Sequence, residues 1–410
     1  MSCKWMPAAL AFFVLGLGAH SREGERETSG ELVLLSGGDV QWASEHGGPD
    51  VIYENGEFST WSRLPNLVDG RWRLIPYLNT PRGRSHVLDR LGLPTREGVR
   101  SPRWAGLSFQ SPDDRERFPF QRIAPVLRGA DVTFVNLENP LSDDAPLRGA
   151  FRGNGRFAEA LAWAGVDAVS LANNHSFDAG EPGLMETLEH LRRAGVAQAG
   201  AGRNLKEARQ GVFLERNGLQ LAILAYTQFV NLGVESFANQ NRSGVAPMDP
   251  LLMVEDIGRA SLQADIVAVA VHWGSSTTRE VFQRNREFAR EILDAGADVV
   301  LGGHNPDPMG IEVYKGKVVI YSPGHLVFDH SNPGWSDNHL TRLILGPEGV
   351  KRVEILAVSG RGLDLSQPRL LTGESAIALL QDVQARSASL ETRVEIVGDV
   401  GVVRLRPTRR

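Results

Sequence analysis

Residues that could bind a metal ion follow the apolar runs of this sequence, at the point where each run ends. They are Asp39, Glu138, Asn174, His272 and His304. Carboxylates, an amide and imidazoles form a mixed oxygen and nitrogen set, which suits Mn, Zn or Fe better than Ca. A divalent ion in such a set can polarise a phosphoryl group and supply hydroxide at neutral pH. The sequence therefore predicts a hydrolytic site for one or two divalent ions.

The apolar runs themselves explain how these residues could meet. They are short and aliphatic or β-branched, as in strands buried on both faces, and they cover 32–36, 132–135, 166–171, 221–225, 266–271, 299–301 and 318–321. Helical patterns lie between them, and these end at Gly165, Gly195 and Gly296. Strands alternating with helices predict an α/β fold, in which ligands bind at the carboxyl ends of the strands.

Each candidate has an ordinary explanation when taken alone. A single histidine after a strand is more often structural than a ligand, Asp39 could cap a loop, and Asn173 or Asn174 could serve a turn. Glu138 could be a surface carboxylate. Five such residues at five strand ends are harder to explain in this way, because burying them together without an ion would be electrostatically costly.

Composition limits the function classes. The 410 residues are 42% hydrophobic and 23% charged, with a net charge of −5. This balance is ordinary for a globular protein and argues against general binding to nucleic acid. The single cysteine, Cys3, excludes an intrachain disulfide and a cysteine-based metal site.

The first residues predict export. Lys4 precedes an apolar stretch at 7–18, and the small residues Ala19 and Ser21 follow. This pattern is typical of a secretory signal peptide over 1–21, with a polar linker at 22–30. An uncleaved anchor is the alternative. We expect an exported protein, periplasmic or at the cell surface.

The rest of the chain predicts one main domain at 31–347 and a C-terminal extension at 348–410 that packs on it. Residues 42–120 fit the alternating pattern poorly, since they are rich in Arg, Pro, Gly and Trp. We interpret 42–120 as a long insertion after the first strand, with a substrate lid as one role. The extension should hold a helix near 375–386 and a closing strand near 401–405.

Five short motifs give a specific resemblance. They are Gly38-Asp39-Val40, Asn136-Leu137-Glu138, Ala172-Asn173-Asn174-His175, His272-Trp273-Gly274 and Gly302-Gly303-His304. In this order they resemble the bacterial capsule-synthesis (CapA) branch of the calcineurin-like phosphoesterases. The resemblance spans about 32–405, apart from 42–120, and implies a layered α/β/β/α fold.

The resemblance also implies roles for these residues. Asp39 would bind a first metal, and Glu138 would bridge it to a second. The second would be held by Asn174, His272 and His304. His175 would be the general acid or the electrostatic partner of the leaving group. We interpret Asp178 as a helix cap rather than a catalytic residue, and Trp273 as packing or a wall of the site.

Two positions depart from the family pattern. The closing motif, His304-Asn305-Pro306-Asp307, lacks the second histidine, so Asp307 is either a replacement oxygen ligand or a turn residue. His325 stands where the family has asparagine, which makes it a candidate ligand or substrate contact. His46 lies near the first motif, but nothing in the sequence fixes it in the site.

The resemblance implies a metal-dependent hydrolase that helps to make, release or anchor poly-gamma-glutamate or a related anionic capsule polymer. Its partners would be an anionic polymer or phosphate-containing substrate and membrane proteins of capsule assembly, with no nucleic acid. Two alternatives stay open: a non-catalytic polymer-binding scaffold with a degenerate metal site, and a periplasmic phosphodiesterase or nucleotidase.

Overall fold

The computed structural model describes residues 30–43, 45–46, 107–329 and 335–405, and elements are numbered within these ranges. The side chains of residues 45, 46, 362 and 363 are not part of the description. The predictions of a signal peptide, of most of the linker and of a lid lie outside the described residues.

The first sheet is built around the strand that carries Asp39. It has nine strands, which are β1 (Leu32–Gln41), β3 (Val132–Leu137), β5 (Ala168–Ser170), β6 (Ala197–Ala199), β15 (His325–Phe328), β16 (Asn338–Gly346), β17 (Gly349–Val358), β18 (Glu395–Val397) and β19 (Val400–Arg404). Strands β3, β5 and β6 continue the sheet in parallel on one side of β1. On its other side, the first half of β1 pairs with β16 and its carboxyl end pairs in parallel with β15.

The second sheet carries the two histidines of the strand-end set. Its six strands are β8 (Val212–Arg216), β9 (Leu219–Thr227), β11 (Ile266–His272), β12 (Val299–Gly303), β13 (Ile311–Tyr314) and β14 (Lys317–Ile320). Strands β9, β11, β12 and β14 run parallel, so their carboxyl ends lie at one edge. Two small ribbons pair β2 (Glu45–His46) with β4 (Phe151–Arg152) and β7 (Ala201–Gly202) with β10 (Gly244–Val245).

The described α-helices are α1 (Pro112–Arg117), α2 (Ala124–Leu127), α3 (Phe157–Ala164), α4 (Gly180–Ala194), α5 (Leu205–Ala208), α6 (Pro250–Ala260), α7 (Gln283–Asp294) and α8 (Gly373–Ala388). Helices such as α3, α4, α6 and α7 cover the outer faces of the two sheets, whereas α8 packs into the core between them. Helices α3 and α4 end at Gly165 and Gly195, both left-handed, as the sequence predicts.

Three apolar cores hold these layers together. The central core joins the facing sides of the two sheets, with Leu34 and Phe134 from the first and Ile223 and Ala268 from the second. The second core lies between the first sheet and α3 and α4, and the third lies between the second sheet and α6 and α7. The predicted layered α/β/β/α architecture is thereby confirmed.

Both margins of the predicted insertion at 42–120 are part of the folded domain. Trp42 and Phe120 are buried in the second core, and α1 packs against α3. The unpatterned range therefore begins and ends inside the folded domain, because aromatic residues at its two margins fill the core. Residues 47–106 lie outside the described part of the chain.

The C-terminal residues do more than pack on the domain. Strands β17 and β19 continue the first sheet from β16, and β18 forms its edge. Helix α8 spans the predicted helix at 375–386, and β19 spans most of the predicted closing strand.

Within the residues that the structure describes, no helix combines the length and apolar character needed to cross a membrane.

Candidate metal centre

The strand-end residues converge at one edge between the two sheets. Asp39 lies near the end of β1, Glu138 directly after β3, His272 at the end of β11 and His304 directly after β12. All are buried, and Asp39 is 0% exposed. Parallel strands place their carboxyl ends together, so residues distant in sequence come within contact of one another.

His272 is the centre of one half of the cluster. Its Nε2 lies 2.6 Å from Oδ1 of Asn174, 3.1 Å from Nδ1 of His304 and 3.5 Å from Oε1 of Glu138. Four of the predicted ligands therefore point at one small volume. Phe229, on the loop after β9, covers this volume, with its ring edge-on to His304 at 4.6 Å between centroids.

Asp39 is the centre of the other half. Nδ2 of Asn136 donates to its Oδ1 at 2.8 Å, and the backbone N–H of His304 donates to its Oδ2 at 3.3 Å. Nε2 of His325 lies 3.5 Å from the same Oδ2. One ligand atom each from Asp39, Glu138 and His325 lies within 4.8 Å of the others, and the same holds for Glu138, His272 and His304. Glu138 belongs to both groups.

Burial makes this cluster electrostatically costly without a cation. It raises the pKa of Asp39 to about 6, and burial together with the nearby Asp39 charge raises the pKa of Glu138 well above its usual range. Burial also lowers the pKa of His304 to about 3 and that of His272 well below its usual range. The histidines are therefore neutral at pH 7 and available as ligands.

Two features fit a bound divalent ion. Oε2 of Glu138 is buried and has no hydrogen-bond partner among the described residues, which is rare for a carboxylate oxygen. The 3.5 Å separations between His272 and Glu138 and between His325 and Asp39 exceed good hydrogen bonds. Two ligand atoms on a tetrahedral ion with bonds of about 2.1 Å stand about 3.4 Å apart.

The backbone at His304 is strained. Its φ is 93°, a conformation that non-glycine residues rarely adopt. The neighbouring Gly303 keeps the approach to Asp39 open, since a Cβ there would lie 3.1 Å from Oδ1. Strain of this kind persists only where the surroundings fix it and clusters at functional sites. Here it turns the His304 side chain toward His272 and its N–H toward Asp39.

His175 lies beside the cluster and is paired with an acid. Its Nδ1 is 2.8 Å from Oδ2 of Asp178, which also accepts the backbone N–H groups of Ala150 and Phe151. The ring of Phe151 lies 4.6 Å from that of His175. Asn231, on the same loop as Phe229, places its Nδ2 3.3 Å from Nε2 of His175.

The interpretation of Asp178 as a helix cap was wrong. The residue before α4 is Ala179, and no side chain caps that helix. Asp178 instead orients His175, because its carboxylate faces back into the loop rather than forward to the helix. The spacing of three residues between His175 and Asp178 is the sequence signal for such a pair, although it equally suits a cap.

Two asparagines of the motifs, Asn173 and Asn136, have scaffold roles. Asn173 donates from Nδ2 to Oδ1 of Asn136 and to the carbonyl of Leu137, and its Oδ1 accepts the backbone N–H groups of His175 and Ser176. Asn136 in turn holds Asp39. These hydrogen bonds therefore connect the carboxyl ends of β1 and β3 with the loop after β5.

Of the remaining candidate residues, one lies in the cluster and the others do not. His325 joins the cluster, whereas Asp307 accepts the backbone N–H of Ser336 and belongs to neither candidate group. Trp273 is 3% exposed and stacks on Tyr321 with centroids 5.9 Å apart, so it is a packing residue. His46 forms part of β2, and its side chain lies outside the description.

A layered α/β/β/α fold with buried acids and histidines at its strand ends is the arrangement that the resemblance to calcineurin-like phosphoesterases implies. Residues 103–330 match the family described as "Bacterial capsule synthesis protein PGA_cap". This range is more than half of the chain, and the chain belongs to that family.

Two curated relatives agree with this assignment. The chain is 32% identical over 248 residues to a "PGA biosynthesis protein CapA" of Bacillus subtilis, covering 58% of this chain and 64% of the relative. It is 28% identical over 253 residues to a "Capsule biosynthesis protein CapA" of Bacillus anthracis, covering 59% and 61%. The match thus spans less than two thirds of each relative.

Among solved structures, the chain is similar to the calcineurin-like phosphoesterase YfkN from Bacillus subtilis. The identity is 10%, the coverage is 88% of this chain and 94% of that chain, and the TM-score is 0.34. The fold is defined instead by the order of the strands in the two sheets and by the layers of helices outside them.

Proposed function

We propose that this protein is an exported, metal-dependent hydrolase that cleaves a phosphoester or related bond in the synthesis, release or anchoring of an anionic capsule polymer. The observation that supports it most strongly is the position of Glu138. Its buried carboxylate belongs to two groups of candidate ligands and has an oxygen without a hydrogen-bond partner among the described residues.

The residues around Glu138 fit an ion on the side of the second sheet. Asn174, His272 and His304 would hold it together with Glu138, as an oxygen and nitrogen set suited to Mn, Zn or Fe. The ion would polarise the scissile group and lower the pKa of bound water. Phe229 would limit the access of solvent to these ligands, because its ring lies against His304.

His175 would transfer a proton to or from the leaving group. Asp178 accepts from Nδ1, which leaves Nε2 as the nitrogen that exchanges a proton with a leaving group. The two backbone N–H groups that donate to the same Asp178 oxygen hold that carboxylate in place. Asn231 contacts the ring from the loop after β9 and limits its rotation.

Separate observations support the proposed substrate and the proposed location. The names of the relatives associate them with PGA and capsule biosynthesis, which supports an anionic polymer or its phosphate-containing precursor as the substrate. Membrane proteins of capsule assembly are the partners that such a role requires. The charge, apolar stretch and small residues at 1–21 support export.

Metal content and hydrolysis, measured on the same preparations, test the proposal. The purified protein is loaded with Mn or Zn, and ions per chain are counted by elemental mass spectrometry. Hydrolysis of bis(p-nitrophenyl) phosphate and of poly-gamma-glutamate is then followed. His272→Ala is compared with His190→Ala, a matched control because His190 lies at the surface beside Asp143.

We expect at least one tightly bound ion in the parent protein and in His190→Ala, and loss of both ion and hydrolysis in His272→Ala. Absence of any bound ion after loading would contradict the proposal and favour a polymer-binding scaffold. Bound ion with cleavage of nucleotides but of no polymer or precursor would favour a nucleotidase instead.

A further inference from the structure

The outer face of the first sheet has a group of exposed arginines near the C-terminal strands, away from the candidate metal centre. Val353 of β17 and Val403 of β19 belong to the central core, so the residues that alternate with them face outward. Four arginines at this place form the arginine face: Arg342, Arg352, Arg393 and Arg404. Their side chains are 35 to 86% exposed, so they are open to a partner.

The arginine face has more positive charge than its own acids neutralise. Glu354 is shared by Arg342 and Arg352, with contacts of 3.0 and 2.8 Å. Glu395 is shared by the other two arginines, with contacts of 3.3 and 3.6 Å. Four guanidinium groups share two carboxylates, which leaves a charge of +2 on a protein whose net charge is −5. Each guanidinium has five N–H donors, so donors remain for an anion from solution.

Two of these arginines are direct neighbours across strands. Arg352 of β17 lies opposite Arg404 of β19 in the antiparallel register, and like charges in this relation destabilise a sheet. Protection of the sheet edge does not explain this cost, because β19 and β18 both lie between β17 and the edge. Guanidinium groups about 4.8 Å apart on adjacent strands suit successive carboxylates of a linear polymer, since arginine binds carboxylate through paired N–H groups.

The surroundings of the arginine face favour a narrow polymer over a flat anionic membrane. Arg352 is level with Val33 across β16, near the amino end of β1. At this end of the sheet, Glu348 is exposed in the turn between β16 and β17, and Glu31 is partly exposed just before β1. A bilayer of anionic lipids would also meet these carboxylates. A single polymer chain that crosses β17 and β19 would avoid them.

We propose that the arginine face binds the carboxylates of a linear anionic polymer and holds the polymer on the protein, at a surface separate from the metal centre. Val33, which is level with Arg352, precedes Asp39 by six residues on β1, so the two places are about 20 Å apart along the strands. A polymer of more than about ten residues spans this distance. The inference rests on the proposed function only for the choice of a capsule-type polymer as the anion.

The test removes the excess charge without leaving an acid unpaired. Arg352→Gln combined with Arg404→Gln leaves one arginine for each glutamate and removes the like-charged pair, so the melting temperature should not fall. Arg192→Gln combined with Arg193→Gln is the matched control, because these exposed arginines share Glu189 on α4. Binding of fluorescein-labelled poly-gamma-glutamate to the metal-loaded full chain is measured by fluorescence anisotropy at low and high salt.

We expect the Arg352 and Arg404 double variant to bind the polymer at least about 10-fold more weakly than the parent protein, and the control to stay within about twofold. Its binding should also depend less on salt. His272→Ala should bind the polymer as the parent does, and both double variants should hydrolyse bis(p-nitrophenyl) phosphate at the parent rate. Unchanged binding in the Arg352 and Arg404 double variant, or no binding by the parent, would overturn the inference and leave the proposed hydrolase intact.

Three other results would overturn it by assigning the binding elsewhere. Loss of polymer binding in His272→Ala alone would place the polymer at the metal centre. The sequence continues after β19 with Arg406, Arg409 and Arg410, outside the described residues. Loss of binding only when 406–410 are removed would assign the polymer to that segment. Binding of phosphatidylglycerol vesicles that needs Arg352 and Arg404, with polymer binding unaffected, would identify a membrane as the partner.

Discussion

Buried carboxylates occur in two settings in this molecule. On the second sheet, Glu312 accepts from Tyr321 Oη at 2.6 Å and from the guanidinium groups of Arg286 and Arg290. At the candidate metal centre, Glu138 faces Asp39 and neutral histidines, and one of its oxygens has no partner among the described residues.

The same contrast holds for Asp256 of α6. Its carboxylate is 2% exposed and accepts from both Nε and Nη2 of Arg209 and from Tyr226 Oη. Glu312 and Asp256, which are buried away from the strand ends, are therefore both paired with arginine. Beside Glu138 the protein has His272 and His304 instead, and burial lowers the pKa of both. In the function proposed above, a divalent ion would supply the positive charge for Glu138 and Asp39.

Removing the shared carboxylate should have the largest effect. Glu138→Ala takes a ligand from both candidate groups, so we expect loss of bound ion and a fall in hydrolysis of roughly 10³-fold or more. Elemental analysis and initial rates measure both. A variant that keeps its ions and a tenth of its activity would break the comparison, because Glu138 would then be structural.

The arginine-paired acid should behave in the opposite way. Glu312→Gln leaves Arg286 and Arg290 without their buried anion, and we expect a loss of about 3 kcal/mol in the free energy of unfolding. Urea denaturation measures it. Ions per chain should stay at the parent value, and a change in metal content would show that the two settings are not independent.

Asp178→Asn should lower kcat by about 10- to 100-fold, as is typical when the partner of an active-site histidine is changed. The amide can donate to Nδ1 as well as accept from it, so it no longer fixes the orientation and tautomer of His175. KM and metal content should not change. A lower melting temperature with an unchanged kcat would reduce Asp178 to a structural residue.

The smallest expected effect tests most directly the difference between Glu138 at the candidate metal centre and the arginine-paired Glu312. In excess chelator, Glu138→Gln removes a carboxylate whose ionised form burial and Asp39 disfavour. We expect the free energy of unfolding at pH 8 to rise by about 1 kcal/mol, whereas with Mn present it should fall. Glu312→Gln should lose stability in both conditions. Equal behaviour of the two variants would refute the distinction.

The sequence was sufficient for features that depend on local pattern. Short apolar runs predicted the inner strands, and the residues directly after them predicted Glu138, His272 and His304 as neighbours. These predictions succeeded because the carboxyl ends of parallel strands must meet, whatever the helices between them do.

Features that depend on distant parts of the chain could not be read in this way. The position of His325 beside Asp39, for example, depends on the register of β15 against β1, which pairs residues nearly 300 positions apart. The role of Asp178 depends on the direction in which its carboxylate points, and a spacing of three residues permits two answers. The margins near Trp42 and Phe120 were missed because single aromatic residues carry no periodicity.

The pairing of β1 with β16 has a consequence for how the protein acquires its structure. Leu32 lies opposite Leu345, so the strand that carries Asp39 is synthesised long before this neighbour. Contacts of such long range close slowly. Until they form, one edge of β1 is open to other chains. A chaperone that shields this edge, or transport of the chain before it folds, would protect the nascent protein from aggregation.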